Sequence, residues 1–211
     1  MVKILSILLC AALLCPSARA SEAQQKEVAL TFDLPADSAA VQALLSGLRE
    51  QEIPATFFLR GKDLSADPAL AREILEGGHE IGISSYHGQS LVPLSRRAIA
   101  AEFADTRALL PDGTPVRFLR PPEMAVSDGV RQVAEVTGLS IIHWRLSAED
   151  DILQNLRDGD ILLLPGDAEQ ALPLIHAMAQ QGFRFLTLTE LARRKDVHLR
   201  PGRIYDHFSS P

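Results

Sequence analysis

The chain has 211 residues, of which 46% are hydrophobic and 23% are charged, a balance typical of a globular protein. Its 27 acidic residues outnumber its 21 basic ones and give a net charge of −6. An acidic chain without basic runs is a poor candidate for binding nucleic acid or an anionic membrane surface. After residue 20, no hydrophobic segment reaches the roughly 20 residues that a membrane-spanning helix needs.

Residues 1–20 have the features of a secretory signal peptide. Lys3 supplies a positive start, residues 4–14 form an apolar core, and Ala-Arg-Ala at 18–20 matches a cleavage site of small residues. A buried N-terminal helix is the alternative, but the three features occur in the order of a signal sequence. We therefore expect cleavage after Ala20 and export to the periplasm or the medium.

Both cysteines, Cys10 and Cys15, lie inside this segment. The exported form would therefore contain no disulfide, no thiol nucleophile and no thiolate metal ligand. It carries 19 basic and 27 acidic residues, a net charge of −8. Its 191 residues are enough for one domain that depends on a hydrophobic core for its stability.

After a short polar leader at 21–26, apolar strand-like runs alternate with amphipathic helical patterns. Such alternation is typical of an α/β fold with parallel strands and helical crossovers, and it fits a closed barrel and an open doubly wound sheet equally well. It predicts about seven strands in one domain over 27–195 and an irregular tail at 196–211. Strands are predicted at 28–32, 55–59, 80–83, 116–119, 140–144, 161–164 and 185–188, and helices at 39–49, 68–76, 95–109, 127–137 and 169–181.

Six segments form one ordered set: ALTFD at 29–33, ATFFLRG at 55–61, GGHEIG at 77–82, FLRPP at 118–122, GDILLL at 159–164 and GFRFLTL at 182–188. Together they resemble the motifs of the polysaccharide deacetylase family, carbohydrate esterase family 4, which includes chitooligosaccharide and peptidoglycan deacetylases. One such segment would be weak evidence, but six at suitable spacing are specific. The resemblance implies the fold of that family, a distorted parallel (β/α) barrel.

The chemistry implied by the resemblance depends on a divalent metal such as zinc. One aspartate and two histidines hold the ion, which polarises the acetyl carbonyl and activates a water, while a second aspartate acts as the base. Asp33 matches the base, but the ligand positions fall on Leu34, Ser84 and Gly88, which do not support a metal. His87 stands for the second histidine only if the loop is one residue shorter. We therefore predict no metal cofactor.

The remaining motifs keep one functional residue and lose two. Arg120 occupies the position of an arginine that partners the base. Glu123 replaces the tyrosine of the same motif, and Pro165 replaces the histidine that would protonate the leaving amine. The resemblance therefore implies descent from a metal-dependent hydrolase whose inherited mechanism does not operate in this chain.

The candidate catalytic residues are Asp33, Arg120, Glu123 and His87. Each has a simpler interpretation, because Asp33 and Arg120 can form a structural ion pair that joins two strand ends. A solvated Glu123 competing for Arg120 and an exposed loop His87 are the corresponding alternatives.

Four residues are candidates for binding a sugar: Trp144, Ser84, Ser85 and Asp150. Trp144 can stack on a sugar ring or pack in the core. Asp150 can bind a sugar hydroxyl or cap a short helix near 151–156. His79, at a helix-to-strand junction, is predicted to be buried and hydrogen-bonded rather than functional.

Three hypotheses follow, in order of preference. In the first, the exported barrel binds a polysaccharide or oligosaccharide in a groove above the strand ends but has lost metal-dependent hydrolysis of acetyl groups. In the second, it is an active hydrolase of carbon–nitrogen bonds other than peptide bonds, with a site rebuilt from Asp33, His87 and Glu123. In the third, it is a non-catalytic envelope protein that binds a protein partner.

Overall fold

The computed structural model describes residues 25–34 and 38–209. The predicted signal peptide and most of the leader lie outside these residues. No helix within the described ranges is long and apolar enough to cross a bilayer. Strands and helices alternate along the described chain, as the sequence pattern predicts.

Nine strands form one sheet in the described part of the chain: β1 (Glu27–Asp33), β2 (Thr56–Leu59), β3 (Glu80–Ile83), β4 (Phe118–Leu119), β5 (Ser140–Ile142), β6 (Leu146–Ser147), β7 (Ile161–Leu164), β8 (Arg184–Leu186) and β9 (Ile204–Tyr205). Eight of them follow the order β6-β7-β1-β2-β3-β4-β5-β9, and β8 pairs with the first residues of β1. The pairings between these strands are parallel.

The chain beyond β9 returns to the start of β7 through a short antiparallel bridge between Asp160 and His207. Beside it, the Phe208 N–H donates to the Gly159 carbonyl at 2.7 Å. The sheet therefore curls into a distorted (β/α) barrel. This confirms the architecture implied by the family resemblance and decides against an open doubly wound sheet.

Eight helices accompany these strands in the described residues: α1 (Ser38–Glu50), α2 (Gly61–Ala66), α3 (Leu70–Glu76), α4 (Arg96–Arg107), α5 (Asp128–Val136), α6 (Ile152–Asn155), α7 (Ala168–Gln180) and α8 (Leu188–Arg194). Three helices, α4, α5 and α8, are capped at their N-termini by the side chains of Ser95, Ser127 and Thr187. Each of these side chains accepts a hydrogen bond from the N–H three residues further on. Such caps satisfy backbone donors that the helix itself leaves free.

Four elements differ from the sequence-based expectation. Helix α2 follows β2 directly, where the sequence predicts neither a helix nor a strand, and α8 begins at Leu188, where the sequence predicts the end of a strand. Strand β6 pairs with β7 in a stretch where no strand is predicted. The tail expected to be irregular contributes β9, which pairs with β5. Strand β9 is only two residues long and carries no periodic pattern, so the partner strand decides its conformation.

Alternation along the strands divides the hydrophobic core into two layers. Val28, Leu30 and Phe32 of β1 belong to the larger layer, which lies between the barrel and its helices. Ala29 belongs to the smaller layer inside the barrel, together with Leu188 of α8. Helix α8 closes the end of the barrel at which the strands begin, because the Leu188 N–H donates to the Thr56 hydroxyl. The opposite mouth carries the ends of the strands.

His79 lies between α3 and β3 and is buried, as predicted, but its ring makes no hydrogen bond within the described residues. Its ring packs edge-on against Phe57, with ring centroids 5.2 Å apart. Neither ring nitrogen has a hydrogen-bond partner among the described residues. Burial, with a smaller contribution from the nearby Arg49, lowers the pKa of His79 to about 4. The imidazole is therefore neutral in the folded protein at ordinary pH.

This buried imidazole makes stability depend on pH. Its folded pKa of about 4 lies below the unfolded value near 6.5, so between the two the unfolded chain binds more protons. Stability should therefore fall as the pH drops from about 6.5 to about 4, by on the order of 1–3 kcal/mol. We expect His79→Leu to flatten this part of the profile, measured as urea midpoints at several pH values.

The control for that experiment is His176→Leu, which removes an exposed histidine from α7. It should keep the pH dependence of the original chain. An unchanged slope in the His79 variant would contradict the neutral, buried imidazole.

Candidate functional site

The candidate site lies at the mouth of the barrel where the parallel strands end. Asp33 is the last residue of β1, Arg120 follows β4 and Trp144 lies just beyond β5. Because parallel strands deliver their carboxyl ends to the same side, side chains from strands far apart in sequence meet there. Two of the predicted site residues, Asp33 and Arg120, are joined in this way by an ion pair.

Arg120 is the centre of the site and is only 2% exposed. Its Nη1 donates to Asp33 Oδ1 at 3.2 Å, and its Nη2 donates to the Thr31 hydroxyl at 2.8 Å. Its Nε and Nη2 also donate to the carbonyls of Ile142 and His143, both at 3.4 Å. The guanidinium is therefore satisfied by four acceptors from two strands and their ends, which offsets much of the cost of burying its charge.

Two aromatic rings lie against the guanidinium. Its central carbon lies 4.1 Å from the centroid of the Phe58 ring and 5.2 Å from that of Trp144. Such cation–π contacts strengthen when the charge is desolvated. Burial lowers the pKa of Arg120, and the Asp33 carboxylate opposes that shift. The hydrogen bonds and the two ring contacts together leave this cation little freedom to turn.

Asp33 presents the accessible part of this arrangement, since half of its side chain is exposed. Only Oδ1 takes part in the contact with Arg120, and Oδ2 has no hydrogen-bond partner among the described residues. The aspartate therefore fixes the arginine with one oxygen and offers the other to the cleft. This supports the simpler interpretation of Asp33 as an anchor, and it leaves one acceptor available to a ligand.

A cleft of about 320 Å³ opens beside Asp33 and Trp144. Leu163, Leu164 and Pro165 from the end of β7 give it an apolar wall, and Glu149 supplies a second carboxylate. Trp144 is half-buried and faces this space while it contacts Arg120. Trp144 can therefore fill both roles predicted from the sequence, packing against the protein and contact with a ligand.

His87 and Glu123 do not contact the Asp33–Arg120 pair. His87 Nδ1 lies 2.7 Å from Glu102 Oε1 on α4, and the His87 N–H donates to the same carboxylate. Glu123 is exposed and makes no hydrogen bond or ion pair within the described residues, so it does not compete for Arg120. Its backbone is in the left-handed region, with φ 57°.

Three predicted sugar-binding residues serve local structure. The Ser85 hydroxyl is buried and accepts from the Gly88 N–H at 3.0 Å. The Ser84 N–H donates to the Leu59 carbonyl. Asp150 accepts from the N–H and hydroxyl of Ser147, which fixes a turn. None of the three is among the residues that line the described cleft.

His143 sits beside Arg120 and is not among the residues that line the described cleft. Its Nε2 is buried and has no partner among the described side chains. Burial and the Arg120 charge lower the pKa of His143, while Asp206 and a hydrogen bond with the Met124 backbone oppose the shift. The lowered pKa disfavours the charged form of this imidazole.

The residues at the three metal-ligand positions do not fit a divalent ion. Leu34 is 8% exposed and packs in the larger hydrophobic layer. Gly88 has φ +76°, and a Cβ there would lie 2.8 Å from Arg60 Cδ, so a longer side chain would be both strained and crowded. No group of three His, Asp or Glu residues that could hold a metal occurs within 25–34 and 38–209.

Sequence reasoning missed four residues that shape the site: Thr31, Phe58, Gly82 and Glu149. Thr31 lies two residues before Asp33, so the period of a strand puts both on one face. Phe58 shares that inner face, and Gly82 on the neighbouring strand leaves room for its ring. The alternation of side chains along strands could have identified these three residues. Glu149 lies in an irregular loop, where no periodic pattern points to it.

Comparison with known proteins agrees with this architecture. A family model described as polysaccharide deacetylase matches residues 20–142. The chain belongs to the polysaccharide deacetylase family. This confirms the resemblance derived from the six segments.

Among individual relatives, the peptidoglycan-N-acetylglucosamine deacetylase PgdA of Listeria monocytogenes is 30% identical over 81% of this chain. The aligned region is 40% of the length of that relative. A family 4 acetyl xylan esterase from Clostridium thermocellum, solved with a cobalt ion, superimposes with a TM-score of 0.78 at 29% identity. That match covers 86% of this chain and 98% of the esterase.

A third neighbour is described as a mutant of a CE4 family pseudoenzyme. It has a TM-score of 0.72 at 23% identity and covers 80% of this chain and 67% of its own. At this identity the likeness shows the shared fold.

Gly82 tests the packing that holds Arg120. A Cβ at this position would lie 2.5 and 2.7 Å from two atoms of the Phe58 ring. We expect Gly82→Ala to push that ring toward the guanidinium and to destabilise the fold by about 1–3 kcal/mol. Urea unfolding measures the loss, and fluorescence of Trp144, the single tryptophan, reports the shift of Arg120.

Gly129→Ala provides the matched control. Gly129 lies within α5, and its Cβ would make only an ordinary contact of 3.5 Å with Ile99. Alanine should be neutral there or stabilise the helix by roughly 0.5–1 kcal/mol. Equal effects of the two substitutions would rule out the proposed role of the Phe58 ring.

Proposed function

We propose that this chain is an exported family member that binds carbohydrate in the cleft at the carboxyl ends of the strands and does not hydrolyse acetyl groups by the family's metal-dependent route. The observation that carries the proposal is Leu34. The position that should supply a metal-binding carboxylate beside Asp33 instead supplies an apolar side chain that is packed in the core.

The second and third ligand positions support the same proposal. Ser84 carries a weak neutral oxygen donor, and Gly88 carries no side chain. Catalytic zinc normally takes three protein ligands from histidine, carboxylate or cysteine. Pro165, at the position of the general acid, lines the cleft as part of its apolar wall and has no proton to give.

Features of the cleft support carbohydrate binding. Trp144 offers an aromatic surface next to an apolar wall, and Asp33 and Glu149 offer carboxylate oxygens at its edges. Sugar rings present C–H faces to aromatic side chains and hydroxyls to polar ones, so this mixture suits them. The Asp33–Arg120 pair keeps that surface rigid, which lowers the entropic cost of binding.

A hydrolase of carbon–nitrogen bonds with a rebuilt site is the second candidate function. It needs Asp33, His87 and Glu123 to act on one substrate. His87 is instead paired with Glu102, and Glu123 is solvent-exposed without a partner among the described residues. These contacts favour binding over turnover.

Acetate release tests the proposal. We expect the purified chain, given an N-acetylglucosamine tetramer and added zinc or cobalt, to release acetate no faster than buffer. After desalting it should retain less than about 0.1 equivalent of metal, because none of the three ligand positions carries an aspartate or a histidine. A family deacetylase with complete metal motifs is the positive control.

Stoichiometric metal together with turnover that Asp33→Asn abolishes would overturn the proposal. An envelope protein that co-purifies stably, with no sugar bound by the chain on a glycan array, would favour a role as an interaction protein instead.

Export is tested separately. In a bacterial host we expect the mature protein in the periplasm or medium to begin at Ser21, since small residues at 18 and 20 fit the cleavage site. N-terminal sequencing of the fractionated protein measures this. The double substitution Ala18→Asp and Ala20→Asp should block processing, and an unprocessed cytoplasmic chain would contradict export.

A further inference from the structure

The cleft is acidic, and this property bears on which sugar it binds. The described residues that line it include Asp33 and Glu149 but no lysine, arginine or histidine. Glu149 is exposed and forms no hydrogen bond or ion pair within the described chain. Its charge is therefore uncompensated by any described neighbour.

The nearest cation cannot neutralise a ligand's negative charge. Arg120 is buried beneath Trp144, and its N–H groups already donate to Asp33, Thr31 and two backbone carbonyls. Its positive charge is paired with the Asp33 carboxylate, while the cleft contains a second carboxylate, that of Glu149. A surface of this kind attracts a cation and repels an anion.

Among the described side chains of the lining, free acceptor oxygens outnumber free donors, of which the Trp144 indole N–H is one. Asp33 Oδ2 and both Glu149 oxygens have no partner among the described residues. Ser147, the one hydroxyl in the lining, is already engaged by Asp150. A ligand that donates several hydrogen bonds from a positive group fits these acceptors, whereas a carbonyl oxygen does not.

We propose that the cleft binds hexosamine units whose amino group is free and protonated, in preference to their N-acetylated form. The inference rests on the proposed function, and it names the class of sugar. Trp144 and the β7 wall receive the ring, and Asp33 Oδ2 and Glu149 receive the ammonium. An ammonium donates three hydrogen bonds and carries a charge, while an acetamide N–H donates one and carries a carbonyl that faces the carboxylates unfavourably.

The proposal places this chain after a deacetylation step. Proteins named as peptidoglycan-N-acetylglucosamine deacetylases are among its relatives. Removal of an acetyl group from such a sugar by water yields acetate and the free amine. A protein that has kept the barrel and prefers the amine would bind the product of that class of reaction.

Fluorescence of the single tryptophan offers a direct measurement, because Trp144 lines the cleft. The chain is titrated with the tetramer of glucosamine and with the tetramer of N-acetylglucosamine, near pH 6 and at low salt. We expect the glucosamine tetramer to bind about tenfold more tightly, the equivalent of one charge-assisted hydrogen bond. Raising the salt concentration or deprotonating the amine near pH 9 should reduce the preference.

Glu149→Gln removes one charge while keeping the shape of the side chain, and it should lower the preference about threefold or more. Glu76→Gln removes the same charge from the exposed end of α3 and should leave it unchanged. A linear polyamine of matched charge tests whether the sugar ring contributes. Binding of that polyamine as tight as the glucosamine tetramer would overturn the proposal.

The outcomes separate this inference from the function on which it rests. Equal or tighter binding of the N-acetylglucosamine tetramer without acetate release would overturn the amine preference and leave carbohydrate binding in place. Binding of neither tetramer would overturn both. A preference for the amine that depends on Glu149 would support both.

Discussion

The buried guanidinium of Arg120 is the constraint on which the rest of the site depends. A charge taken out of water is costly unless its hydrogen bonds and countercharge are supplied in good geometry. Here β1 supplies Thr31 and Asp33, the end of β5 supplies two carbonyls, and two aromatic rings lie within cation–π distance. The small residue at Gly82 follows from the same constraint, because a side chain there would displace one of those rings.

This network explains why the frame of the site can persist with or without metal-dependent chemistry. Arg120 follows β4 and bonds to β1 and to the end of β5. Its loss would therefore leave buried acceptors unsatisfied. Leu34, at the end of β1, points to the opposite face and packs in the larger hydrophobic layer. Burial of an apolar side chain there stabilises the fold. Stability therefore favours the arginine and the leucine together, whether or not a hydrolytic reaction takes place.

Much of the fold was predictable from the sequence because parallel strands buried on both faces leave long apolar runs, as in β1 and β7. The Asp33–Arg120 pair was predictable because each residue ends such a run. Strand β9, in contrast, is two residues long and depends on β5, and α8 depends on the Thr187 cap. The pairing of His87 with Glu102 joins a loop to a helix 15 residues away, and no local pattern encodes it. Sequence periodicity therefore could not predict the contacts that depend on the tertiary arrangement.

The bridge between Asp160 and His207 joins two segments that lie far apart in the sequence. The residues on its two sides are separated by almost a quarter of the chain, and those beyond β9 are synthesised after every other strand. Contacts between such distant segments carry a high entropic cost until the intervening chain is ordered. A nascent chain that stops short of these residues contains every described residue of the cleft, but its strands are not yet closed into a ring.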